Sequence, residues 1–297
     1  MKEKTLSYND QVVASAPPLD ADPMAVAREN PGVVDSLLHP MAILIRQLLT
    51  RSGRRELNLI LIDDEENIIQ ALDAEVEIHS LYYSGGEMLS ESFLGKLPLS
   101  VDVYEVAKRT CKKLFENDKV SRVFAIARPP ARRGLESLLD IPRDIVALED
   151  LTISGNIGAI VRTSLAFGIG GIVLLNAEPV DIYDRRIIRA SRGYIFALPA
   201  LTATTEEFIR FCQQNELSML VMAAQANDPV HEVASLSRRV VIVFGSEKDG
   251  CSQALMQAAT RQVQIPTHSK VESLNVSTAA GIMLYNRFWF NNSQARK

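Results

Sequence analysis

Three short stretches in the C-terminal half carry residue types that can do polar chemistry. The first is Ser154-Gly155-Asn156-Ile157-Gly158-Ala159-Ile160-Val161-Arg162-Thr163. Two glycines, the Asn156 amide and the Arg162 guanidinium sit where a strand turns into a helix, a place that can meet an anion. The spacing is not the dinucleotide fingerprint G-x-G-x-x-G, and no Lys-Ser/Thr follows as in a P-loop. The second stretch is the apolar run Val241–Phe244, ending in Gly245-Ser246-Glu247-Lys248-Asp249-Gly250. It offers main-chain amides and a carboxylate at a strand end, where open α/β sheets bind ligands. The third joins Gln264-Ile265-Pro266 to Glu272-Ser273-Leu274-Asn275-Val276-Ser277, in which Ser273, Asn275 and Ser277 alternate with apolar residues before a small-residue helix. Plain readings exist for each: Asn156 as a helix cap, Arg162 as a surface ion-pair partner, the second stretch as an ordinary turn, the third as redundant caps. An arginine within so apolar a segment is ordinarily paired or functional.

Short apolar runs and helical spacings supply the frame. In the C-terminal half, strands are predicted at Ile145–Leu148, Gly171–Leu175, Met219–Ala223, Val240–Phe244 and Val263–Ile265. Helices are predicted near Gly158–Phe167, Asp184–Ser191, Thr205–Asn215, Cys251–Ala259 and Ser277–Asn291. The strands lack clear alternation, as in a parallel sheet covered on both faces. Before them, helices at 42–49, 65–72 and 105–114 alternate with strands at 57–62, 77–83 and 123–127, the pattern of a smaller α/β domain. Residues 1–35, with Pro17, Pro18, Pro23 and Pro31, read as a flexible arm. The expected organisation is thus an arm over 1–35, a domain over 36–130, a linker over 131–143 and a second domain over 144–297.

The chain's 297 residues are enough for about two domains. With 47% hydrophobic and 23% charged residues, wholesale disorder and a disulfide scaffold are excluded. No apolar run approaches the 18 residues of a membrane span, and the first ten residues lack the apolar stretch of a secretory signal. Cys111, Cys212 and Cys251 are far apart, which points to reduced thiols in a cytoplasm and to no structural metal. His39, His79 and His231 are scattered and read as structural or surface residues. The net charge of −4 argues against indiscriminate nucleic-acid binding, but the charges are segregated. Glu56 to Glu77 holds eight acids and no base, whereas Tyr104 to Arg133 holds nine bases and three acids. That segregation gives either one basic face or two ordinary solvated helix faces.

Taken in order, N-x-G-x-x-x-R-T, then F-G-S-E-x-x-G after a strand, then I-P and S-L-N-V-S before a helix resemble the SPOUT superfamily. More narrowly they resemble the SpoU/TrmH family of RNA ribose 2′-O-methyltransferases. The match spans roughly residues 145–290. Asp184-Arg185-Arg186-Ile187-Ile188-Arg189-Ala190-Ser191-Arg192-Gly193-Tyr194, Gly155–Leu165 and Phe124-Ala125-Ile126-Ala127-Arg128-Pro129 are similar to the thiostrepton/nosiheptide-resistance ribosomal RNA methyltransferases. That resemblance extends over the N-terminal domain, which in this group is a ribosomal-protein-L30e-like RNA-binding module.

The resemblance implies an α/β fold whose C-terminal domain has a mostly parallel sheet and a trefoil knot, an exception to the unknotted-chain rule. It implies S-adenosylmethionine as cofactor, held by Phe244, Gly245, Ser246, Ile265, Pro266, Leu274, Asn275 and Met222. It implies Arg162, Asn156, Glu247, Ser273 and Asn275 as catalytic residues, and a homodimer with active sites at the interface. Arg192, Arg189 and Arg186, with Arg132, Arg133 and Arg128, would track RNA, and the acidic 56–77 segment would face away from it. The implied reaction is ribose 2′-O-methylation of RNA, with an adenosine of large-subunit ribosomal RNA as the preferred target. Transfer RNA is the rival target, and a non-catalytic RNA-binding protein of ribosome assembly is the alternative class. A nucleotide-dependent oxidoreductase is disfavoured, because the glycine spacing is wrong and no acid follows the next strand in the ribose-binding role.

Overall fold

A computed structural model describes residues 33–294 apart from 87–88, 117, 177–180, 234, 237 and 272. Most of the arm expected over 1–35 therefore lies outside the described residues. Val34 is buried and pairs with the edge of the N-terminal sheet, its N–H reaching Glu105 O at 2.8 Å.

The N-terminal half begins with α1 (Pro40–Leu48) and α2 (Arg51–Leu57), the latter capped by the Thr50 hydroxyl. It continues through β1 (Ile60–Asp63), α3 (Glu65–Asp73), β2 (Ile78–Ser84), α4 (Glu91–Leu94), β3 (Asp102–Val106), α5 (Lys108–Leu114) and β4 (Val123–Ala127). The sheet runs β1-β4-β2-β3, with β4 antiparallel to both neighbours and β2 parallel to β3. The helix expected over 105–114 starts only at Lys108. Tyr104 and Val106 point inward while Val103 and Glu105 point outward, so the preceding residues pair as a strand instead. Both faces of β1 are buried: Leu59 and Leu61 pack with α1 and α5, while Ile60 and Ile62 join the core shared with the C-terminal half.

The C-terminal half runs β5 (Ile145–Glu149), α6 (Ser154–Ala166), β6 (Gly171–Leu175), α7 (Arg185–Ala190), β7 (Ala200–Ala203) and α8 (Thr205–Gln214). It then runs β8 (Ser218–Met222), β9 (Asp228–Pro229), α9 (Val230–Val233), β10 (Val240–Phe244), α10 (Gln253–Ala258), β11 (Arg261–Gln264) and α11 (Val276–Gln294). Every pairing in the sheet β7-β6-β5-β10-β8-β11-β9 is parallel. All residues of β5, β6 and β10 are buried, as expected of strands covered on both sides. From β5 the chain moves outward to β6, whereas from β10 it moves the opposite way to β11. The carboxyl ends of the adjacent strands β5 and β10 therefore form a topological switch point, the crevice where open α/β sheets take their ligands.

Charged groups tie the two halves together. Arg185 (4% exposed) donates through Nε to Asp63 (1% exposed) at 2.8 Å, and its guanidinium lies 4.4 Å from the Phe115 ring centroid. Arg189 reaches Asp63 at 3.0 Å and Asp118 at 3.1 Å. Arg54 bridges to Asp181 at 2.6 Å and Asp184 at 3.0 Å. The acidic stretch 56–77 thus meets α7, and Arg192 just beyond it, through Asp63 and Glu66. A second buried pair, Arg287 with Asp144 at 2.9 Å, fastens α11 to the start of β5. Among the described residues no helix is long and apolar enough to cross a membrane.

Candidate active site

The turn after β5 delivers Asn156 into the first turn of α6, and the turn after β10 delivers Glu247 to the same crevice. Asn156 Nδ2 donates to Glu247 Oε1 across 91 residues of sequence. Asn275 Nδ2 in turn donates to Asn156 Oδ1 at 3.2 Å, across 119 residues. Asn275 Oδ1 accepts from the Ser277 N–H at 2.9 Å and its hydroxyl at 2.6 Å, which fixes the amide against the start of α11. Carboxylate, amide and amide form one chain of hydrogen bonds through all three stretches, each with its acceptor and donor ends determined by the next.

Two glycines permit this approach. A Cβ on Gly158 would lie 2.4 Å from Ala190 Cβ, so α6 can lie directly on α7 only without a side chain there. A Cβ on Gly245 would lie 2.1 Å from the Gly250 carbonyl carbon, where the Glu247 turn closes on itself. Ser246 and Gly250 exchange two backbone hydrogen bonds of 3.1 Å across that turn.

Arg162 stands apart from the chain of hydrogen bonds. Six residues beyond Asn156, it lies about 9 Å further along α6 and on a different face. Its side chain is exposed, and among the described residues no hydrogen bond or ion pair engages it. Ser273 is exposed beside Asn275. Along the strand ends, Met222, Ile265 and Leu274 are half-buried and Pro266 is exposed. The Phe244 ring is buried in the core, so only its main chain reaches the rim. Four carboxylates lie around this rim: Glu149, Asp150, Glu247 and Asp249. Burial, reinforced by the charges of Glu149 and Asp249, pushes the Asp150 carboxyl above its usual value. Burial holds the nearby Cys251 thiol up at about 12, so it stays protonated and unreactive.

Of the basic residues singled out, Arg186 and Arg192 are exposed and touch Asp184 at 2.9 Å and Glu66 at 3.5 Å. Arg189 is only 17% exposed and held between Asp63 and Asp118. Arg128 meets Glu77 at 3.3 Å, and Arg132 and Arg133 are exposed.

Glu149 escapes motif reasoning altogether. It is 1% exposed at the end of β5, accepting from Thr205 Oγ1 at 2.8 Å and from the Ser252 N–H at 2.6 Å. It thereby pins the loop that follows Glu247 to the sheet. The one local signal is an acid closing a wholly apolar strand.

Both halves of the chain match known proteins. Residues 144–285 match the SpoU rRNA Methylase family, and residues 31–141 match the thiostrepton-resistance methylase N terminus. The chain is 33% identical to the 23S rRNA (adenosine(1067)-2'-O)-methyltransferase of Streptomyces azureus, over 86% of this chain and 96% of that one. It is 36% identical to the enzyme of the same name from Streptomyces laurentii, over 84% and 92%. An AdoMet-bound rRNA methyltransferase from Sinorhizobium meliloti superposes with a TM-score of 0.74 at 29% identity, covering 86% of this chain and 96% of the other. With such identity over nearly the full length of these relatives, and with the three stretches joined through Asn156, the chain belongs to the SpoU rRNA methylase family.

Proposed function

We propose that the protein transfers the methyl group of S-adenosylmethionine to a ribose 2′-hydroxyl of RNA, at an adenosine of large-subunit ribosomal RNA. The observation that carries this reading is the Glu247–Asn156–Asn275 hydrogen-bond chain at the β5/β10 switch point. The rim fits the cofactor chemically. Met222, Ile265 and Leu274 offer apolar surface to a nucleoside, main-chain groups from Gly245 to Ser246 and from Ile265 to Pro266 offer hydrogen bonds, and the surrounding carboxylates favour a cation. When bound, the cofactor supplies an already activated methyl group on a sulfonium.

The residues then align the acceptor and manage charge. Arg162, permanently cationic, orients the ribose or its phosphate and stabilises negative charge developing on the 2′-oxygen. A guanidinium does not serve as base, so the hydroxyl proton leaves to solvent or a neighbour. Asn156 fixes the target, Glu247 anchors Asn156, and Ser273 with Asn275 closes the rim. The family's architecture implies a trefoil knot through the loops at Gly245, Ile265 and Leu274. It also implies a homodimer, for which the exposed Tyr285, Phe288 and Trp289 on α11 offer an apolar face. Arg132, Arg133, Arg128, Arg186 and Arg192 are assigned to RNA, whereas Arg189, expected there from the sequence, is spent on Asp63 and Asp118; the setting is the cytoplasm.

The test is methyl transfer from labelled cofactor to separated ribosomal and transfer RNA, followed by mapping of the modified ribose. The expected result is one labelled adenosine in large-subunit RNA. Label in transfer RNA alone would move the target. No label, together with no cofactor binding by calorimetry, would make the protein a non-catalytic RNA-binding member.

A further inference from the structure

Glu149 is a buried carboxylate to which the proposed reaction gives no part. It closes β5, and among the described residues no cation pairs with it. Burying a charge without a cation is costly, so a carboxylate persists in such a place only with its oxygens held by hydrogen bonds. Oε1 accepts from the Thr205 hydroxyl at 2.8 Å and Oε2 from the Ser252 N–H at 2.6 Å. The Thr205 hydroxyl cannot turn away. Its oxygen accepts from Asn176 Nδ2 at 2.9 Å, while Asn176 Oδ1 accepts the Thr205 N–H at 3.1 Å. Both groups facing Glu149 are therefore donors. A glutamine would turn an NH2 group toward one of them, whereas a carboxylate accepts from both.

The two oxygens reach different elements, α8 through Thr205 and α10 through its cap Ser252. Ser252 directly follows the Gly245–Gly250 turn. That turn is closed by the Ser246–Gly250 backbone pair and stiffened by the Asp249 N–H on Ser246 Oγ at 3.1 Å. With its inner bonds made, it moves as one piece on its two ends. One end is β10, buried and paired on both sides. The other is Ser252, whose N–H Glu149 holds. The turns after β5 and β10 are thus joined twice: at the exposed rim by Asn156 with Glu247, and at the sheet by Glu149 with Ser252.

We propose that Glu149 is a positioning residue for the cofactor, holding the Gly245–Gly250 turn at the spacing from β5 at which its main chain receives S-adenosylmethionine. This rests on the proposed reaction and deepens it. Glu149 touches neither cofactor nor RNA. It acts through the Ser252 N–H, so its effect falls on cofactor affinity and not on methyl transfer once the cofactor is bound.

The experiment measures cofactor Kd by calorimetry on the full chain, and steady-state methyl transfer at saturating RNA. Glu149→Gln should raise Kd and the KM for cofactor about tenfold, with kcat held within about twofold. Ser252 has φ −59°, near the −65° or so that proline imposes, so Ser252→Pro deletes the N–H and the cap hydroxyl without demanding a new φ. It should raise Kd by a similar factor, and Glu149→Gln added to it should raise Kd no further. Asp144→Asn is the comparison. Asp144 is the buried carboxylate at the opposite end of the β5 segment, held by Arg287 and the Val240 N–H. Its loss should lower the melting temperature and leave cofactor Kd alone. Equal weakening by Asp144→Asn would reduce Glu149 to a general prop of the fold. Unchanged Kd in Glu149→Gln and Ser252→Pro, additive losses in the double variant, or a loss confined to kcat would overturn the positioning role. Should Glu149→Gln fail to fold, Ser252→Pro against Asp144→Asn decides the question. A parent chain that binds no cofactor would refute the reaction itself, whereas a parent that binds it no better than its variants would refute only the part given to Glu149.

Discussion

Helices α6 and α7 lie against one another through Gly158, and both carry arginine among aliphatic residues. In α7, Arg185 and Arg189 turn toward the N-terminal sheet, where Asp63 and Asp118 meet them at 2.8 to 3.4 Å. In α6, Ile157, Ile160 and Val161 take the buried face and leave Arg162 outward, without a carboxylate among the described residues. The side chains are the same, but the electrostatic settings are opposite. A guanidinium neutralised by buried acids holds the two halves of the molecule together. An unneutralised one, on the helix that also carries Asn156, is available to a substrate.

The sharpest way to break that contrast is Arg185→Ala. It leaves Asp63 buried with half its compensation and removes the cation from the Phe115 ring, so the fold should lose about 3–5 kcal/mol. Chemical denaturation measures the loss. Replacing both partners, Arg185→Met with Asp63→Leu, should recover most of it, because no buried carboxylate remains and Arg189 keeps Asp118. A single variant as stable as the parent would show that α7 is no clamp.

Arg162→Ala should do the reverse. Melting temperature and cofactor affinity should hold, while kcat falls about 10²–10³-fold, the usual cost of losing one group that stabilises developing charge. A stability loss like that of Arg185→Ala, or full turnover, would erase the distinction between the helices. Gly158→Ala probes their contact. A Cβ placed 2.4 Å from Ala190 Cβ forces α6 and α7 apart, costing about 1–3 kcal/mol, and turnover should fall with it because Asn156 and Arg162 ride on α6.

These two arginine settings also mark where sequence reading stops. The parallel strands were legible because Val146, Ile172 and Ile242 belong to unbroken apolar runs whose length decides for strand. β7 was missed because four residues, Ala200–Ala203, carry too little pattern, and β3 was missed because its alternation runs straight into a basic helix. Within the site, Asn156, Glu247 and Asn275 could be singled out from their motifs. Glu149 could not, since its partners Thr205 and Ser252 lie 56 and 103 residues away. Arg189 and Asp63 are 126 residues apart, so whether that arginine is free or spent is a property of the packed halves. Local spacing encodes which side chains are present. It does not encode which distant charge will neutralise them.

The smallest effect expected concerns the exposed end of the clamp. Asp118 is partly buried, which alone would raise its carboxyl. The Lys119 N–H and the guanidinium groups of Arg185 and Arg189 outweigh this and hold it below the usual range. A carboxyl lowered on folding stabilises the protein above its unfolded value, about 3.9, and that contribution fades as pH falls through the folded value. Asp63 works in the opposite sense, because burial raises its carboxyl despite Arg185 and Arg189, so the acid limb of the stability curve is a difference between the two. Asp118→Asn isolates one side of it. With the Asp118 side chain a third exposed, the variant should lose about 0.5 kcal/mol at neutral pH, and the gap should close as pH falls through the lowered folded value of Asp118. A gap that persists in acid would mean that Asp118 acts through the shape of its hydrogen bonds and not its charge, and only Asp63 would then remain as the carboxylate that sets α7 apart from α6.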